Sequence, residues 1–315
     1  DDCHSVTLVH EGHMDRVVRH AIDCGCDPLI ALQMATINTA SHFGLERELG
    51  SIAPGRRADM ILTGDLVSLP IEVVYARGNK VAENGRLTTD CPHYKWPKAS
   101  KNTVHLGKVL AQTDFEIPAP KQAQTVTAKV IGVVENQAPT KALNADLPVV
   151  NGLVEPNKDI CQIALVERHR GTGAVTNAFV SGFGYQSPMA IASTVAYDSH
   201  HMIVVGTDRV MMAAAANRLG AIGGGVTVWK DGHEIGVVEL PIAGLMSDRP
   251  AAEVAAAAQT ILQAMQACGC SLNNAFMQHS LLALVVIPEL RISDLGLVDV
   301  TKFAITDLIE AAEQK

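Results

Sequence analysis

The sequence predicts an α/β segment followed by an α+β domain, and three stretches of the chain carry this prediction. Residues 6–43 repeat apolar side chains at intervals of three and four, the period of amphipathic helices. Residues 50–90 contain short apolar runs separated by turn residues, which is typical of strands joined by hairpins. Beyond residue 125, predicted strands and helices mix without strict alternation, which favours α+β. A chain of 315 residues has room for two domains of common size.

Two helices are predicted in the first stretch. Residues 6–24 have the helical period, with charged residues between the apolar ones. A second helix is predicted from Pro28 to about Phe43, because proline suits the first helical turn and Asp27 can accept hydrogen bonds from the first free amides. Gly44 is expected to end this helix.

Short strands and a linker are predicted next. Strands are expected at 58–62, 71–76 and 81–87, where apolar and β-branched residues are bounded by turns. A Gly-Asn pair at 78–79 indicates a hairpin. Residues 91–124 are richer in Pro, Lys and Gln, and they are predicted to form a linker.

The stretch after residue 125 supplies the elements of the α+β domain. Two helices are predicted, at 208–219 and 250–268, and the Ser-Asp-x-Pro run at 247–250 begins the second. Strands are predicted at 125–134, 160–167, 190–196, 202–205, 225–230 and 234–240.

Composition excludes several classes of protein. With 48% hydrophobic and 18% charged residues, the chain is too apolar to be disordered. Its net charge is −8 and no basic run exceeds Arg56-Arg57, so we expect neither a nucleic-acid nor a membrane partner. The longest apolar run, Leu281–Pro288, is far shorter than the roughly 20 residues of a membrane span. An odd number of cysteines, seven, favours reduced thiols in a cytoplasmic protein.

The run GSIAPGRRAD at residues 50–59 fits the pattern G-x-I-x-P-G-x-x-A-D. It follows an acidic pair, Asp1-Asp2, and the two predicted helices. In this combination the chain resembles the amidohydrolase superfamily, in which the polypeptide leaves the eighth strand of a metal-dependent (β/α)₈ barrel and returns to a small β-sandwich.

Four downstream runs narrow the resemblance. They are FVSGFG at 179–184, STVAYDSHH at 193–201, GGG at 223–225 and LPIAGLMS at 240–247. Together they resemble the additional C-terminal domain of the bacterial adenine deaminase family, and the likeness covers essentially the whole chain.

The resemblance implies a division of the chain. Residues 1–49 would form the last strand end and helices of the barrel, 50–90 a β-sandwich segment, 91–124 a linker, and 125–315 the adenine deaminase C-terminal α+β domain. The sequence starts without Met, and we expect a missing N-terminal barrel portion to precede it.

The resemblance also assigns a catalytic role to the acidic pair. In such enzymes the aspartate that ends the eighth strand binds metal and moves protons, and Asp1 corresponds to it. A bound divalent cation lowers the pKa of water from about 15.7 to about 7, and a neighbouring carboxylate can pass the water proton to the leaving ammonia. Asp2 would either support Asp1 or cap the following helix. The expected metal is manganese or iron, with zinc as a further option.

The run YDSHH at 197–201 is the second candidate site. Asp198, Ser199 and His200 are adjacent, so they cannot form a catalytic triad, whose base approaches from another segment. The loop either projects towards the purine site, where Asp198 and His200 would bind substrate, or is a structural turn. The family pattern is His-Asp-Ser-His-Asn, from which Tyr197 and His201 depart, so the resemblance assigns no role to those two side chains.

Two other runs have simpler interpretations. In HEGH at 10–13 the histidines are three apart, whereas a zinc-protease helix places them four apart on one face. A helix behind the barrel rim is therefore favoured. The glycines at 223–225 lack the following Lys and helix of a phosphate loop, and a tight turn is favoured.

The function that the resemblance implies is hydrolytic deamination of adenine to hypoxanthine and ammonia, a reaction of purine salvage. Adenine would be the small-molecule substrate, and we expect a homo-oligomer. The remaining metal ligands should lie upstream, so we expect residues 1–315 alone to be inactive. The alternatives are another amidohydrolase deaminase or cyclic-amide hydrolase, and a non-catalytic role of residues 125–315 as a lid or oligomerisation module.

Overall fold

A computed structural model of the chain describes residues 3–90, 94–157 and 159–310, and it divides the chain into two units, Asp1–Lys95 and Trp96–Lys315. The first unit begins with helices α1 (Ser5–His10) and α2 (Met14–Asp23). The single helix predicted over 6–24 is therefore wrong, because Gly12 adopts φ 109° and interrupts it. At the start of α2, the Asp15 carboxylate accepts a hydrogen bond from the backbone amide of His13 at 2.8 Å.

The second predicted helix is confirmed as one helical stretch. It comprises α3 (Pro28–Gln33), a π-helical turn (Met34–Asn38) and α4 (Thr39–His42). Asp27 caps it as predicted, since its carboxylate accepts the amides of residues 29 and 30. Gly44 ends it at φ 69°, in the left-handed conformation that favours glycine after a helix.

A four-stranded antiparallel sheet completes the first unit. Its strands, in spatial order, are β1 (Met60–Thr63), β2 (Ile71–Ala76), β3 (Asn79–Glu83) and β4 (Arg86–Leu87). The predicted strand at 81–87 is divided by a second hairpin turn at Asn84, whose φ is 48°. The core of this unit joins α2 and α3 to the start of β2, through Val18, Ile22, Ala31 and Leu69.

The GSIAPGRRAD run has a structural role in the first unit. Gly50, at φ 90°, packs so tightly against the π-helical turn that an added Cβ would lie 2.9 Å from Ile37 Cα. At the other end of the run, the Asp59 carboxylate accepts the Arg77 amide at 2.7 Å and the Ala58 carbonyl accepts the Gly78 amide at 2.8 Å. The motif thus joins the helices to the β2–β3 hairpin.

The segment before the second sheet differs from the predicted linker. Residues 98–100 and 112–115 form short 3₁₀ helices, and the side chains of Val104, Leu110 and Phe115 are buried in the core of the second unit. The Asn217 side chain exchanges hydrogen bonds with the Leu110 backbone at 2.9 and 3.0 Å. The prediction failed because these apolar residues are spaced without a helical or strand period among Pro and Lys.

Within its described residues, the second unit contains a nine-stranded sheet and a separate three-stranded sheet. The nine strands are β5 (Thr125–Gly132), β6 (Lys141–Val150), β7 (Leu153–Val154), β8 (Cys161–Val166), β9 (Val175–Ser181), β10 (Met189–Ser193), β11 (Met202–Gly206), β12 (Gly225–Lys230) and β13 (His233–Glu239). Their order is β13-β12-β10-β11-β8-β9-β5-β6-β7, and every pair is antiparallel except β5 with β9. The small sheet contains β14 (Leu290–Ser293), β15 (Gly296–Asp299) and β16 (Ala304–Thr306).

Helices cover both faces of the large sheet. Helix α5 (Arg209–Ile222), capped by Asp208, packs with Ala192 of β10 and Val204 of β11. Ile191, the neighbour of Ala192, is equally buried but points to the opposite face, as does its cross-strand partner Val228. Helix α6 (Ala251–Ala267) covers that second face over β12 and β13, and helix α7 (Ala275–Leu281) contacts β11.

Both units contain helices and sheets, as the sequence analysis predicted. All six predicted strands and both helices beyond residue 125 have counterparts within a few residues. Among the described residues beyond 125, six strands and one short helix were missed; they are β6, β7, β9, β14, β15, β16 and α7. Among the described residues, no helix is both long and apolar enough to cross a membrane.

Candidate functional site

The Tyr197–His201 loop connects β10 to β11 in the second unit. Asp198 and Ser199 are exposed, His200 is half-buried and His201 is buried. Strand β11 pairs with β8 in the register Met202↔Val166, so the residues beyond Val166 lie beside the loop. The antiparallel register thus brings the run Glu167-Arg168-His169 next to the candidate substrate-binding residues.

Arg168 is the central anchor of this loop. Its side chain is 1% exposed, and burial lowers the pKa of the guanidinium to about 10, which still leaves it charged at neutral pH. Its nitrogens donate to the carbonyls of His200 at 2.5 Å, Ala243 at 3.1 Å and Thr103 at 3.2 Å. One buried cation therefore links three segments that are distant in sequence.

Glu167 shapes the turn that holds Arg168 and His169. Its carboxylate accepts the amides of His169, Arg170 and Thr172 at 2.5 to 3.0 Å, and the Thr172 hydroxyl at 3.0 Å. Desolvation opposes ionisation, but these hydrogen bonds, led by the one from Thr172, outweigh it and lower the pKa of Glu167 to about 2. The carboxylate is charged at neutral pH and fixes the turn.

Histidines surround the exposed end of the loop. His169 Nε2 lies 2.9 Å from the Ser199 carbonyl oxygen, which can only accept, so this nitrogen carries the proton. The ring of His169 lies 4.7 Å from that of His201, whose Nε2 is 3.7 Å from the Asp294 carboxylate. Burial lowers the pKa of both His200 and His201, so these imidazoles are neutral at pH 7.

The predicted tight turn at the glycine triplet is present beside this loop. Gly223, Gly224 and Gly225 all have positive φ and connect α5 to β12. A Cβ on Gly224 would lie 2.5 Å from Gly244 Cα, and the Thr194 hydroxyl lies 2.5 Å from the Gly244 carbonyl. The triplet therefore allows close backbone packing around the Arg168 anchor. This agrees with the tight turn that the sequence analysis favoured over a phosphate-binding loop.

The other predicted site residues are not brought together in the described structure. Asp1 and Asp2 lie outside the described residues. His10 ends α1 and His13 precedes α2, with the break at Gly12 between them, so the pair shares no helix face. The described residues contain no group of three or more His, Cys, Asp or Glu side chains placed to hold a metal ion. This part of the chain therefore does not by itself fit the metal centre that the resemblance implies.

Sequence reasoning missed Glu167, Arg168 and His169. A signal existed, because three polar residues directly follow the wholly buried strand β8. The pairing of β8 with β11, which a single sequence does not reveal, was needed to place them beside residues 198–200.

Comparisons with known proteins agree with the resemblance. Residues 137–304 match the family model of the adenine deaminase C-terminal domain, and residues 1–81 match that of the amidohydrolase family. The adenine deaminase of Ruegeria pomeroyi is 74% identical over 313 residues, which are 98% of this chain and 52% of the relative. The adenine deaminases of Paracoccus denitrificans and Moorella thermoacetica are 71% and 43% identical over 98% of the chain and 51% and 52% of their own lengths.

The chain thus spans about half the length of the curated relatives it matches. The first family model covers more than half of the chain, and the relatives cover nearly all of it. On this evidence the chain belongs to the family defined by the adenine deaminase C-terminal domain.

Proposed function

We propose that this chain is the C-terminal part of an enzyme that deaminates adenine hydrolytically, converting adenine and water to hypoxanthine and ammonia. The observation that carries the proposal is 74% identity, over 98% of the chain, to a protein named adenine deaminase. The Arg168 anchor of the Tyr197–His201 loop supports it, because a firmly held loop with exposed polar groups is suited to ligand binding.

Asp198 and His200 are the proposed contacts to adenine. Adenine offers an exocyclic amino group and ring N–H as donors, together with ring nitrogens as acceptors. The exposed Asp198 carboxylate can accept from the donors. The neutral imidazole of His200 can donate to a ring nitrogen or accept from the N–H. Both side chains belong to the loop held by Arg168.

Asp1 is the proposed metal ligand and base of the whole protein, with Asp2 supporting it or capping the next helix. The families that the chain matches imply a divalent metal, and we propose manganese or iron, with zinc as the alternative. The proposal for Asp1 rests on the resemblance. Metal analysis of the full-length protein before and after Asp1→Ala tests it, and an unchanged metal content would contradict it.

Residues 3–49 are proposed as the helices that end the amidohydrolase barrel, and residues 50–90 as a β-sandwich segment. The match over residues 1–81 supports this. So do apolar side chains that the helices of the first unit leave exposed, at Leu8, Val9, Met14, Val17, Leu29, Ile30, Met34 and Phe43. So many exposed apolar side chains are unusual on a solvent-facing surface, and they are consistent with packing against other parts of the whole protein.

The test measures deamination of adenine by the purified full-length protein and by purified residues 1–315. The native mass of each protein shows whether it is a homo-oligomer. Hypoxanthine and ammonia should form from adenine in equal amounts with the full-length protein, and not with residues 1–315 alone. Turnover of a cyclic amide in place of adenine would favour the other amidohydrolase activity. Full activity after removal of residues 125–315 would favour the non-catalytic module.

A further inference from the structure

The His200 backbone is held in a conformation that its side chain does not favour. Its φ is 49°, in the left-handed region, where the Cβ of an L residue crowds the backbone. Non-glycine residues remain there when surrounding interactions fix them, and such positions cluster at functional sites. His200 is also one of the two proposed adenine contacts.

Three hydrogen bonds fix this conformation. The His200 amide donates to the Ala196 carbonyl at 2.7 Å. The carbonyl of Ser199 accepts from His169 Nε2 at 2.9 Å, and the carbonyl of His200 accepts from Arg168 Nε at 2.5 Å. The peptide groups on both sides of His200 are therefore tied to two consecutive side chains from the neighbouring strand end.

The Arg168 anchor is itself rigid. Its two terminal nitrogens are occupied by the carbonyls of Thr103 and Ala243, and Gly244 leaves no space beside it, since a Cβ there would lie 2.8 Å from Nη1. A planar fork with fixed donor directions can serve three carbonyls at once, which a lysine ammonium on a flexible stem does not reproduce.

We propose that Arg168 and His169 are positioning residues, which hold the loop so that Asp198 and His200 can meet adenine. The inference rests on the proposed function of the loop and extends it to two residues that hold the loop through hydrogen bonds to its backbone carbonyls. Loss of the hydrogen bond from Arg168 or of the one from His169 would let the His200 backbone relax from its left-handed conformation. The side chains of Asp198 and His200 would then move.

The test uses the full-length protein with His169→Ala, His169→Gln and the control Arg170→Ala, which alters an exposed neighbour on the same turn. Loss of one neutral hydrogen bond should raise KM for adenine about three- to tenfold in His169→Ala, and hydrogen exchange of amides 196–201 should accelerate. Glutamine can place an amide N–H where Nε2 lies, so His169→Gln should restore both values to near wild type. Arg170→Ala should leave both unchanged.

Arg168→Lys is the stronger perturbation, with an expected loss of about 10- to 100-fold in kcat/KM, because the lost hydrogen bonds involve a charged donor. Unchanged exchange and kinetics in His169→Ala would overturn the proposal even if Arg168→Lys fails to fold. Faster exchange with unchanged KM would also overturn it, since the loop would be held but not used for adenine. If the wild type does not turn over adenine, the proposed function fails, and the exchange data separately show whether the two residues hold the loop.

Discussion

Substitution of Gly244 tests how tightly the Arg168 anchor is packed. Gly244 has φ 71°, and an alanine Cβ would lie 2.8 Å from Nη1 and 3.1 Å from Cζ of the guanidinium. The left-handed backbone costs a non-glycine residue about 1–2 kcal/mol. Overpacking against a fixed group adds about 1–3 kcal/mol. We therefore expect Gly244→Ala to lower the free energy of unfolding of the second unit by about 2–5 kcal/mol.

Gly232 offers a matched control for this substitution. It has φ 82° in the β12–β13 turn, and nothing lies within 4 Å of an added Cβ. Gly232→Ala should therefore show only the backbone cost, about 1–2 kcal/mol. Urea unfolding followed by tryptophan fluorescence reports on the second unit, since both tryptophans of the chain, Trp96 and Trp229, belong to it.

The difference between the two variants isolates the contact with Arg168. Equal losses for Gly244→Ala and Gly232→Ala, within about 0.5 kcal/mol, would refute the packing argument. In an Arg168→Ala background that folds, the Gly244→Ala loss should fall to the Gly232→Ala value, because the group that the Cβ meets is gone.

Glu167, His279 and the metal requirement give further predictions. Hydrogen bonds led by Thr172 outweigh desolvation and lower the pKa of Glu167 from 4.5 to about 2, so its stabilisation is complete above pH 4.5 and is lost as pH falls towards 2. Wild type and Glu167→Gln should differ in urea-unfolding free energy above pH 4.5 and converge near pH 2; a constant difference would contradict this. Burial lowers the pKa of His279 from 6.5 to about 3, so below pH 6.5 the unfolded chain binds the proton first and stability declines with acid. His279→Leu should therefore lose less stability than wild type between about pH 6.5 and pH 5, and equal losses would count against a neutral buried imidazole. Deamination by the full-length protein should stop after metal removal and return with manganese or iron, whereas undiminished turnover by metal-free protein would exclude a metal requirement.

Local signals explain which parts of the fold the sequence predicted. The cap at Asp27, the helix end at Gly44 and the strand at 71–76 each depend on residues within a few positions of one another. The single helix over 6–24 failed at one glycine whose φ of 109° a periodicity argument does not reveal. Strand β6 was missed because most of its residues are exposed, so the apolar alternation of a half-buried strand is weak.

The candidate site was predictable only in part, for a related reason. The resemblance led us to propose residues 198 and 200 as substrate contacts, but it did not indicate the residues that hold their loop. Arg168 meets carbonyls that are 32, 65 and 75 positions away in sequence. Such contacts follow from the strand order of the sheet, which neither composition nor motif spacing contains. The buried segment around Leu110 was mistaken for a linker for the same reason, because it packs against residues that are far away in sequence.

The proposed function and the role of the Tyr197–His201 loop are both tested by measuring kcat/KM for adenine in the full-length protein and in its Asp198→Asn variant. The substitution keeps the size of the side chain but removes the negative charge that would strengthen the hydrogen bond accepted from adenine. We therefore expect kcat/KM to fall about 10-fold or more, with hypoxanthine as the product of both proteins. Absence of hypoxanthine from the wild-type reaction would contradict the proposed function. Equal kcat/KM for the two proteins would contradict the assignment of the Tyr197–His201 loop to adenine.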